Sequence, residues 1–207
     1  AFFFDYDLDG WLDIFVANGH IQGDVELRET GVVYREPALL LRNQAGRRFA
    51  DVTASAGAAL TVPRIGRGAA WGDYDNDGDS DILITSNRGD PDAGRRPDDG
   101  RACLLRNEGG NRANWLRLRL EGVASNRNAY GARVRVRAGG LAVTHTVRCA
   151  SSYLSQCDRR PLFGLGAARR VEGIEIQWPA GQVQTLGGVE ANQSLLIREG
   201  EAPRPDR

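Results

Sequence analysis

Short apolar runs separated by polar turns cover the chain, and their period predicts strands and no convincing helix. Apolar and charged residues alternate at 115–120, 132–137 and 141–147, which places one set of side chains in a core and the other in solvent. Residues 179–181 (Pro-Ala-Gly) form a tight turn into a further run at 183–186, which is a hairpin signal. We therefore predict an all-β protein with an antiparallel β-sandwich-like domain over residues 113–199.

Two acidic stretches in the N-terminal half follow one pattern, D-x-D-x-D-G-x-x-D, at residues 5–13 and 73–81. Aspartates at positions 1, 3, 5 and 9 can direct carboxylate oxygens at one hard cation, and the glycine at position 6 permits the sharp bend. The carbonyl of position 7 can add another oxygen. The predicted metal ligands are Asp5, Asp7, Asp9, Trp11, Asp13, Asp73, Asp75, Asp77, Asp79 and Asp81.

The alternative to a metal site is a solvated acidic turn. Four carboxylates about 5 Å apart would repel by about 3 kcal/mol per pair at an effective dielectric of about 20. A turn has no reason to accept that repulsion without a cation. Because loops of carboxylates suit a large, flexibly coordinated ion, we predict Ca²⁺ ahead of Mg²⁺.

The residues after each loop exclude an EF-hand, which needs a bidentate glutamate at position 12 and a flanking helix. Position 12 is Val16 in the first stretch and Ile84 in the second, and both lie in short β-branched runs. These runs predict strands. The expected motif is a strand–loop–strand calcium site.

The acidic loops belong to a longer repeat. Leu-Arg-Asn follows each loop, at residues 41–43 and 105–107, and a glycine turn comes next. Strand, acidic loop, strand, variable loop, strand, Asn/Gly turn and strand suit one propeller blade with an insertion. We predict a partial β-propeller of about two blades over residues 1–112, with surface insertions at 20–36 and 88–101.

Both halves resemble known families. Residues 4–19 and 70–87, with Leu-Arg-Asn and residues 49–57, are similar to the FG-GAP/VCBS repeats of integrin-like β-propellers. Residues 114–199 resemble the ASPIC/UnbV domain through Ser125-Asn126-Arg127, Gly131-Ala132-Arg133-Val134, Ser152-Tyr153-Leu154-Ser155-Gln156, Phe163-Gly164-Leu165-Gly166, Trp178-Pro179-Ala180-Gly181 and Ala191-Asn192-Gln193. The resemblance implies about seven blades in a complete propeller, so upstream blades are expected to be missing from this chain.

Charge and hydropathy limit the partners. The chain has 27 Lys and Arg against 27 Asp and Glu, so no basic surface is expected to attract nucleic acid. No apolar stretch reaches the roughly 18 residues of a membrane span. We expect a secreted or periplasmic protein whose signal peptide lies upstream, and a disordered tail at 200–207.

The remaining polar candidates favour structural roles. His20 and His145 have no neighbouring Ser or Cys in a recognisable catalytic motif, so no catalytic residue is predicted. The stretch around Tyr153 could bind a polar ligand or be a self-satisfied turn. Cys149 and Cys157 could form a disulfide or stay reduced, with Cys103 as a buried thiol.

Two classes of function stay open. The first is a secreted calcium-binding module for adhesion or for binding a protein or carbohydrate ligand, with calcium bracing the blades. The second is an enzyme or accessory subunit in bacterial secondary-metabolite biosynthesis, which the resemblance implies because some relatives are associated with enediyne biosynthesis. A pocket with a titratable pair would favour the second class.

Overall fold

The fold is taken from a computed structural model, which describes residues 1–28, 31–87 and 100–206. Strands make up most of the regular structure, which confirms the all-β prediction. The insertion predicted at 88–101 lies, apart from its last two residues, outside the described residues. The helices of the described residues are single turns: α1 (Thr53–Ala56) and 3-10 turns at Val25–Arg28, Ala58–Thr61 and Gly110–Arg112.

Two antiparallel sheets form the N-terminal half. The first has the order β1-β2-β3-β4 and the second the order β5-β6-β7. Their strands are β1 (Phe2–Phe4), β2 (Asp13–Val16), β3 (Leu39–Asn43), β4 (Phe49–Asp51), β5 (Gly66–Gly72), β6 (Asp81–Ser86) and β7 (Cys103–Leu105). Each acidic loop joins the first two strands of its sheet, because Phe4 pairs with Asp13 and Gly72 pairs with Asp81.

One apolar core lies between these two sheets. The first sheet contributes a cluster of aromatic rings, in which Phe2 stacks on Phe15 at 5.3 Å between ring centroids. The second sheet contributes Ile82 and Ile84, which are 6% and 1% exposed. The sheets therefore pack on each other as neighbouring propeller blades do, although the described strands close no ring.

The C-terminal half contains two four-stranded sheets and one small two-stranded sheet. Their orders are β10-β9-β13-β14, β11-β8-β16-β17 and β12-β15. The strands are β8 (Asn114–Glu121), β9 (Arg133–Ala138), β10 (Leu141–Thr146), β11 (Leu162–Gly166), β12 (Arg170–Val171), β13 (Gly173–Gln177), β14 (Val183–Leu186), β15 (Val189–Glu190), β16 (Gln193–Arg198) and β17 (Arg204–Pro205).

The alternation in the sequence explains the core of the C-terminal half. In β9 the valines and Ala138 are buried, whereas the arginines between them are exposed. These side chains belong to one cluster with Phe163 of β11 and Ile197 of β16. The cluster also includes Trp178, whose indole Nε1–H donates to Gln184 Oε1 at 2.9 Å. The hairpin tryptophan is thus buried without losing its hydrogen bond.

Two features depart from the sequence pattern. β16 runs parallel to β8, although all other strand pairs in the described residues are antiparallel. More than 70 residues separate the two strands, so a crossover is possible, and alternation alone carries no strand direction. The predicted disorder of the tail is wrong for residues 200–206, because β17 pairs with β16 and Asp206 N donates to Ser194 O at 3.0 Å.

Candidate metal centres

The two acidic loops share one backbone conformation. Position 4 is left-handed in both, at Leu8 (φ 54°) and Asn76 (φ 60°), and so is the position-6 glycine, at Gly10 (φ 90°) and Gly78 (φ 104°). A left-handed leucine is strained, but this side chain is fully buried, which offsets the strain. The repeated bends turn the carboxylates of positions 1, 3 and 9 toward one another.

The position-1 carboxylate is held by the backbone of its own loop. Asp5 accepts hydrogen bonds from Asp9 N at 3.1 Å and Gly10 N at 2.9 Å, one on each oxygen. Asp73 accepts the same two bonds from positions 5 and 6 of the second loop, at 3.1 and 3.0 Å. Both carboxylates are therefore fixed in orientation before any ligand arrives.

The position-9 carboxylate is shared between the loop and the Leu-Arg-Asn motif. Asp13 accepts from Tyr6 N at 3.1 Å and from Asn43 N at 2.7 Å. Asp81 accepts from the equivalent position-2 amide at 3.2 Å and from Asn107 N at 2.9 Å. The repeated asparagine thus anchors the end of each loop, a role that the sequence motif alone did not reveal.

Six of the ten predicted ligands come together in two clusters. Within each cluster one oxygen of every carboxylate lies within 4.8 Å of the others, and the members are Asp5, Asp7 and Asp13, and Asp73, Asp75 and Asp81. The position-5 carboxylates instead accept the amide of position 7, Asp9 from Trp11 at 2.9 Å and Asp77 from Asp79 at 3.2 Å. Asp79 is also outside the cluster, and its Oδ2 accepts from Asn111 N at 3.1 Å.

Arginines of the Leu-Arg-Asn motif lie against both clusters. Arg42 forms an ion pair with Asp7 at 2.7 Å, and Arg106 forms one with Asp75 at 3.0 Å. Sequence reasoning missed these cations. The signal was present, because the same arginine follows both loops in the repeat.

Burial makes the charged state of several loop carboxyls unfavourable. It raises the pKa of Asp13 to about 7, against the opposing effect of its two backbone amides. It also raises the pKa of Asp5 well above the ordinary value, and the charges of Asp9, Asp13 and Asp7 add to that rise. Burial likewise raises the pKa of Asp79 to about 7. A cation among these groups would relieve both the desolvation and the mutual repulsion.

The donor set fits a hard cation. All the clustered ligand atoms are carboxylate oxygens, the type that Ca²⁺ prefers. Asp7 Oδ1 is buried and has no hydrogen-bond partner among the described residues, and the same holds for Asp79 Oδ1 at the edge of the second loop. An orphaned buried carboxylate oxygen is costly, and a bound cation would satisfy it.

The C-terminal half covers both loops. At the first loop, Gly166 N donates to Leu8 O at 3.0 Å, and a Cβ on Gly164 would lie 2.1 Å from Asp5 Oδ2. At the second loop, the Arg117 guanidinium donates to Asp73 Oδ2, and the Trp115 ring packs on the position-6 glycine. Both contacts join parts of the chain that are distant in sequence.

The other polar candidates are in structural environments. His20 Nδ1 accepts from Gln22 N at 3.1 Å. Asn126 closes its own loop by donating to Tyr130 O and accepting from Tyr130 N, both at 2.8 Å. The Tyr153 side chain is 64% exposed. The stretch around Asn126 is thus a braced loop.

All three cysteines have free thiols, so the possible Cys149–Cys157 bridge is not formed. Cys149 is exposed. Cys157 turns into the apolar core of the N-terminal sheets, where its sulfur accepts from Trp71 N at 3.4 Å. The two side chains therefore lie in different environments.

A cavity of about 460 Å³ lies between the N-terminal sheets and the C-terminal half, and it is lined by Phe2 and Trp71 from the former and by His145 and Ser151 from the latter. His145 Nε2 and Ser151 Oγ are buried and have no hydrogen-bond partner within residues 1–28, 31–87 and 100–206. Burial, assisted by the charge of Arg148, lowers the pKa of His145 to about 4. The imidazole is therefore neutral at physiological pH.

Comparison with known families follows the same division. Residues 5–84 match the FG-GAP-like repeat, and residues 122–204 match the ASPIC and UnbV domain. A search of curated proteins found no match. The chain therefore has the architecture of an FG-GAP-like repeat followed by an ASPIC/UnbV domain, which confirms the resemblance seen in its sequence.

The class of protein follows from this architecture. FG-GAP-like repeats are typical of extracellular proteins, so the chain is a β-rich module of extracellular type. Within the described residues no helix is long and apolar enough to span a membrane.

Proposed function

We propose that this chain is a calcium-binding module of extracellular type, in which two Ca²⁺ ions brace neighbouring propeller blades. The observation that carries the proposal is the pair of three-carboxylate clusters with matching backbone geometry. Asp5, Asp7 and Asp13 would hold one ion, and the equivalent residues of the second loop would hold the other. A single acidic turn could arise without a ligand. Two turns with the same backbone geometry and the same buried carboxylates favour the interpretation that each binds the same kind of ion.

Burial disfavours the ionised form of the loop carboxyls, and the positive charge of bound calcium would stabilise that form. The residues of the chain do the rest of the work. The loop amides orient position 1, and the asparagine amide orients position 9. Arg42 and Arg106 compensate part of the charge when no ion is bound. Such preorganisation reduces the ordering cost of binding.

Calorimetric titration tests the metal assignment. We expect two sites per chain, with a Kd of about 10⁻⁴ to 10⁻³ M, the range of extracellular calcium modules. The double variant Asp75→Ala/Asp77→Ala should retain one site and show a smaller rise in Tm on adding calcium. Asp24→Ala removes an exposed carboxylate outside the loops and serves as the control. Fewer than one calcium per wild-type chain would refute the assignment.

The biological role that suits this scaffold is binding of a protein or carbohydrate ligand. A groove beside the blades exposes Ile21 (80%) and Leu154 (89%) next to Tyr153 and Arg67. Aromatic and arginine side chains are common at recognition surfaces. A glycan array probed in calcium and in chelator tests the carbohydrate case, with Tyr153→Ala as the surface variant, and calcium-dependent binding that the variant loses is the supporting result.

The alternative role, an enzyme or accessory subunit in secondary metabolism, depends on a titratable pair in a pocket. The cavity beside Phe2 contains His145 and Asp158. Asp158 is held by Arg160, whose Nη2 and Nε donate to Asp158 Oδ2 at 2.7 and 2.9 Å, and His145 Nε2 has no partner among the described residues. The described residues thus place no nucleophile–base pair there, and the binding role is the better supported one.

A further inference from the structure

The two candidate calcium loops differ in one buried contact. Arg117 of β8 reaches back to the position-1 carboxylate of the second loop and donates to Asp73 Oδ2. The side chains of this pair are only 6% and 2% exposed. The guanidinium is held in place from other sides as well, since its Nε donates to Ser194 Oγ at 2.8 Å and it lies 5.6 Å from the Trp115 ring centroid.

No cation of the described part of the chain pairs with position 1 of the first loop. Asp5 keeps the same two backbone amides as Asp73, but the space beside it is filled by the backbone of β11 at Gly164. The ion pairs of the first loop within the described residues come from Arg42, to Asp7 and Asp9. Three clustered carboxylates therefore meet one arginine in the first loop.

The second loop has the same three-carboxylate cluster but two arginines, Arg106 on Asp75 and Arg117 on Asp73. Its additional carboxylate, Asp79, is outside the cluster and bonds to the amide of Asn111. The affinity of a calcium loop depends on the charge count of its ligands. A buried cation on a ligand repels the incoming ion and is poorly screened by salt.

We propose that Arg117 is an internal counter-ion of Asp73 that makes the second loop the weaker calcium site. Calcium binding in the second loop and packing of the C-terminal domain on that loop through Arg117 therefore disfavour each other. This inference rests on the proposed calcium function. The guanidinium satisfies the buried Asp73 when no ion is present, so the domain contact forms without calcium. Coupling between two binding equilibria is reciprocal. A calcium ion in the second loop therefore weakens the Arg117–Asp73 contact by the same factor by which Arg117 lowers the affinity of that loop for calcium.

The test compares the loops one at a time in the full chain, by calorimetric titration with Ca²⁺. Asp75→Ala/Asp77→Ala leaves only the first loop, and Asp7→Ala/Asp9→Ala leaves only the second. We expect the second loop to bind about tenfold more weakly, because its three clustered carboxylates face one more buried cation than those of the first loop. Equal Kd values, or a tighter second loop, would overturn the proposal without affecting the calcium function itself.

The direct test adds Arg117→Met to the Asp7→Ala/Asp9→Ala variant, in which only the second loop can bind calcium. This substitution should tighten calcium binding about tenfold, since the opposing charge is gone. It should also lower the Tm in chelator, because Asp73 is left buried without a cation, and calcium should restore most of that loss. The matched control is Arg119→Met on the same strand, whose ion pairs go to Glu121 and Asp206 rather than to the loop.

The outcomes separate the two proposals. If Arg117→Met weakens calcium binding, the arginine is a brace of the site and the counter-ion role is wrong. If this variant does not fold in chelator, the comparison of the two loops in the presence of Arg117 still decides. If neither loop of the wild-type chain binds calcium, the proposed function fails, and the inference fails with it.

Discussion

Asn43 and Asn107 occupy the same place in the two repeats, but the Asn107 side chain reaches one further partner. Asn43 Nδ2 donates to Leu12 O at 2.9 Å, within its own repeat. Asn107 Nδ2 donates to Ser80 O at 3.4 Å, the equivalent bond within its own repeat, and also to Tyr6 O at 2.8 Å, in the loop of the other repeat. The same residue type therefore closes one repeat and links two.

This difference predicts unequal costs for one substitution. Asn107→Ala should lower the free energy of unfolding by about 2–3 kcal/mol, because it leaves the half-buried Tyr6 O and the buried backbone groups of Ser80 and Gly110 without this partner. Asn43→Ala should cost about 1 kcal/mol, since its partners are more exposed. Urea denaturation in chelator measures both without a contribution from calcium. A larger cost for Asn43→Ala would contradict the linking role.

His145 predicts a pH dependence. Its pKa is lowered to about 4, so the folded state keeps the ring neutral where the unfolded chain binds a proton. Its contribution to stability is present above about pH 6.5 and is lost as pH falls toward 4. Although Nε2 is buried, the residue as a whole is half-buried and solvent screens part of the effect, so we expect a loss of about 1–2 kcal/mol by pH 5.

The measurement compares wild type with His145→Gln by urea denaturation at pH 7 and pH 5. The loop carboxyls have raised pKa values and act in the opposite direction, but they are common to both proteins and cancel in the difference. The variant should lose less stability than wild type on acidification. Equal losses would show that His145 titrates normally in the folded protein.

At the scale of elements, strand β11 and the first acidic loop pack backbone to backbone. A Cβ at Gly164 would lie 2.5 Å from the carbonyl carbon of Leu8, and backbone cannot move aside as a flexible side chain can. Gly166, two residues further on, has open space around its Cβ position but a positive φ of 55°. The two glycines thus serve different needs within one strand.

Gly164→Ala should therefore destabilise the protein by about 2–3 kcal/mol through overpacking. Gly166→Ala should cost about 1 kcal/mol, the strain of a left-handed residue. Thermal unfolding with and without calcium distinguishes them further. Only Gly164→Ala is expected to reduce the calcium-dependent rise in Tm, because it displaces the loop that carries Asp5. An equal reduction in both variants would refute this contact.

The sequence predicted the parts of the fold and site that are local. The convergence of Asp5, Asp7 and Asp13 depends on spacing within nine residues, so a motif could reveal it. The contact of Arg117 with Asp73 joins strand β8 to a loop more than 40 residues earlier, and no local pattern encodes it. β17 escaped prediction for a related reason: a polar tail with prolines can form a strand only because β16 offers an open edge.

At the scale of the whole molecule, the acidic loops lie where the N-terminal sheets meet the C-terminal half. The first loop contacts β11, and the second contacts β8 through Trp115 and Arg117. No described sheet combines strands from both halves of the chain: two sheets consist of strands β1 to β7, and the others consist of strands β8 to β17. The loops are therefore shared by both sides, and ligand binding in them affects both.

Hydrogen exchange measures this sharing. Calcium in the first loop should slow amide exchange in β11, whereas β9 and β13, in another sheet, should change little. The variant Asp7→Ala/Asp9→Ala should abolish the protection of β11, and Asp75→Ala/Asp77→Ala should leave it intact. Protection confined to the loops themselves, with none in β11, would contradict the shared interface.

The bond from Asn107 to Tyr6 also shows how one repeat is joined to the next. One repeat presents an acceptor in its loop, and the next presents the asparagine that binds it. A duplicated repeat inserted between them would contain both the acceptor carbonyl and the donor asparagine. It could therefore form the same hydrogen bond with the repeat before it and with the repeat after it. A unit lacking its Asn/Gly turn would break the series, so such arrays should gain and lose whole repeats rather than fragments.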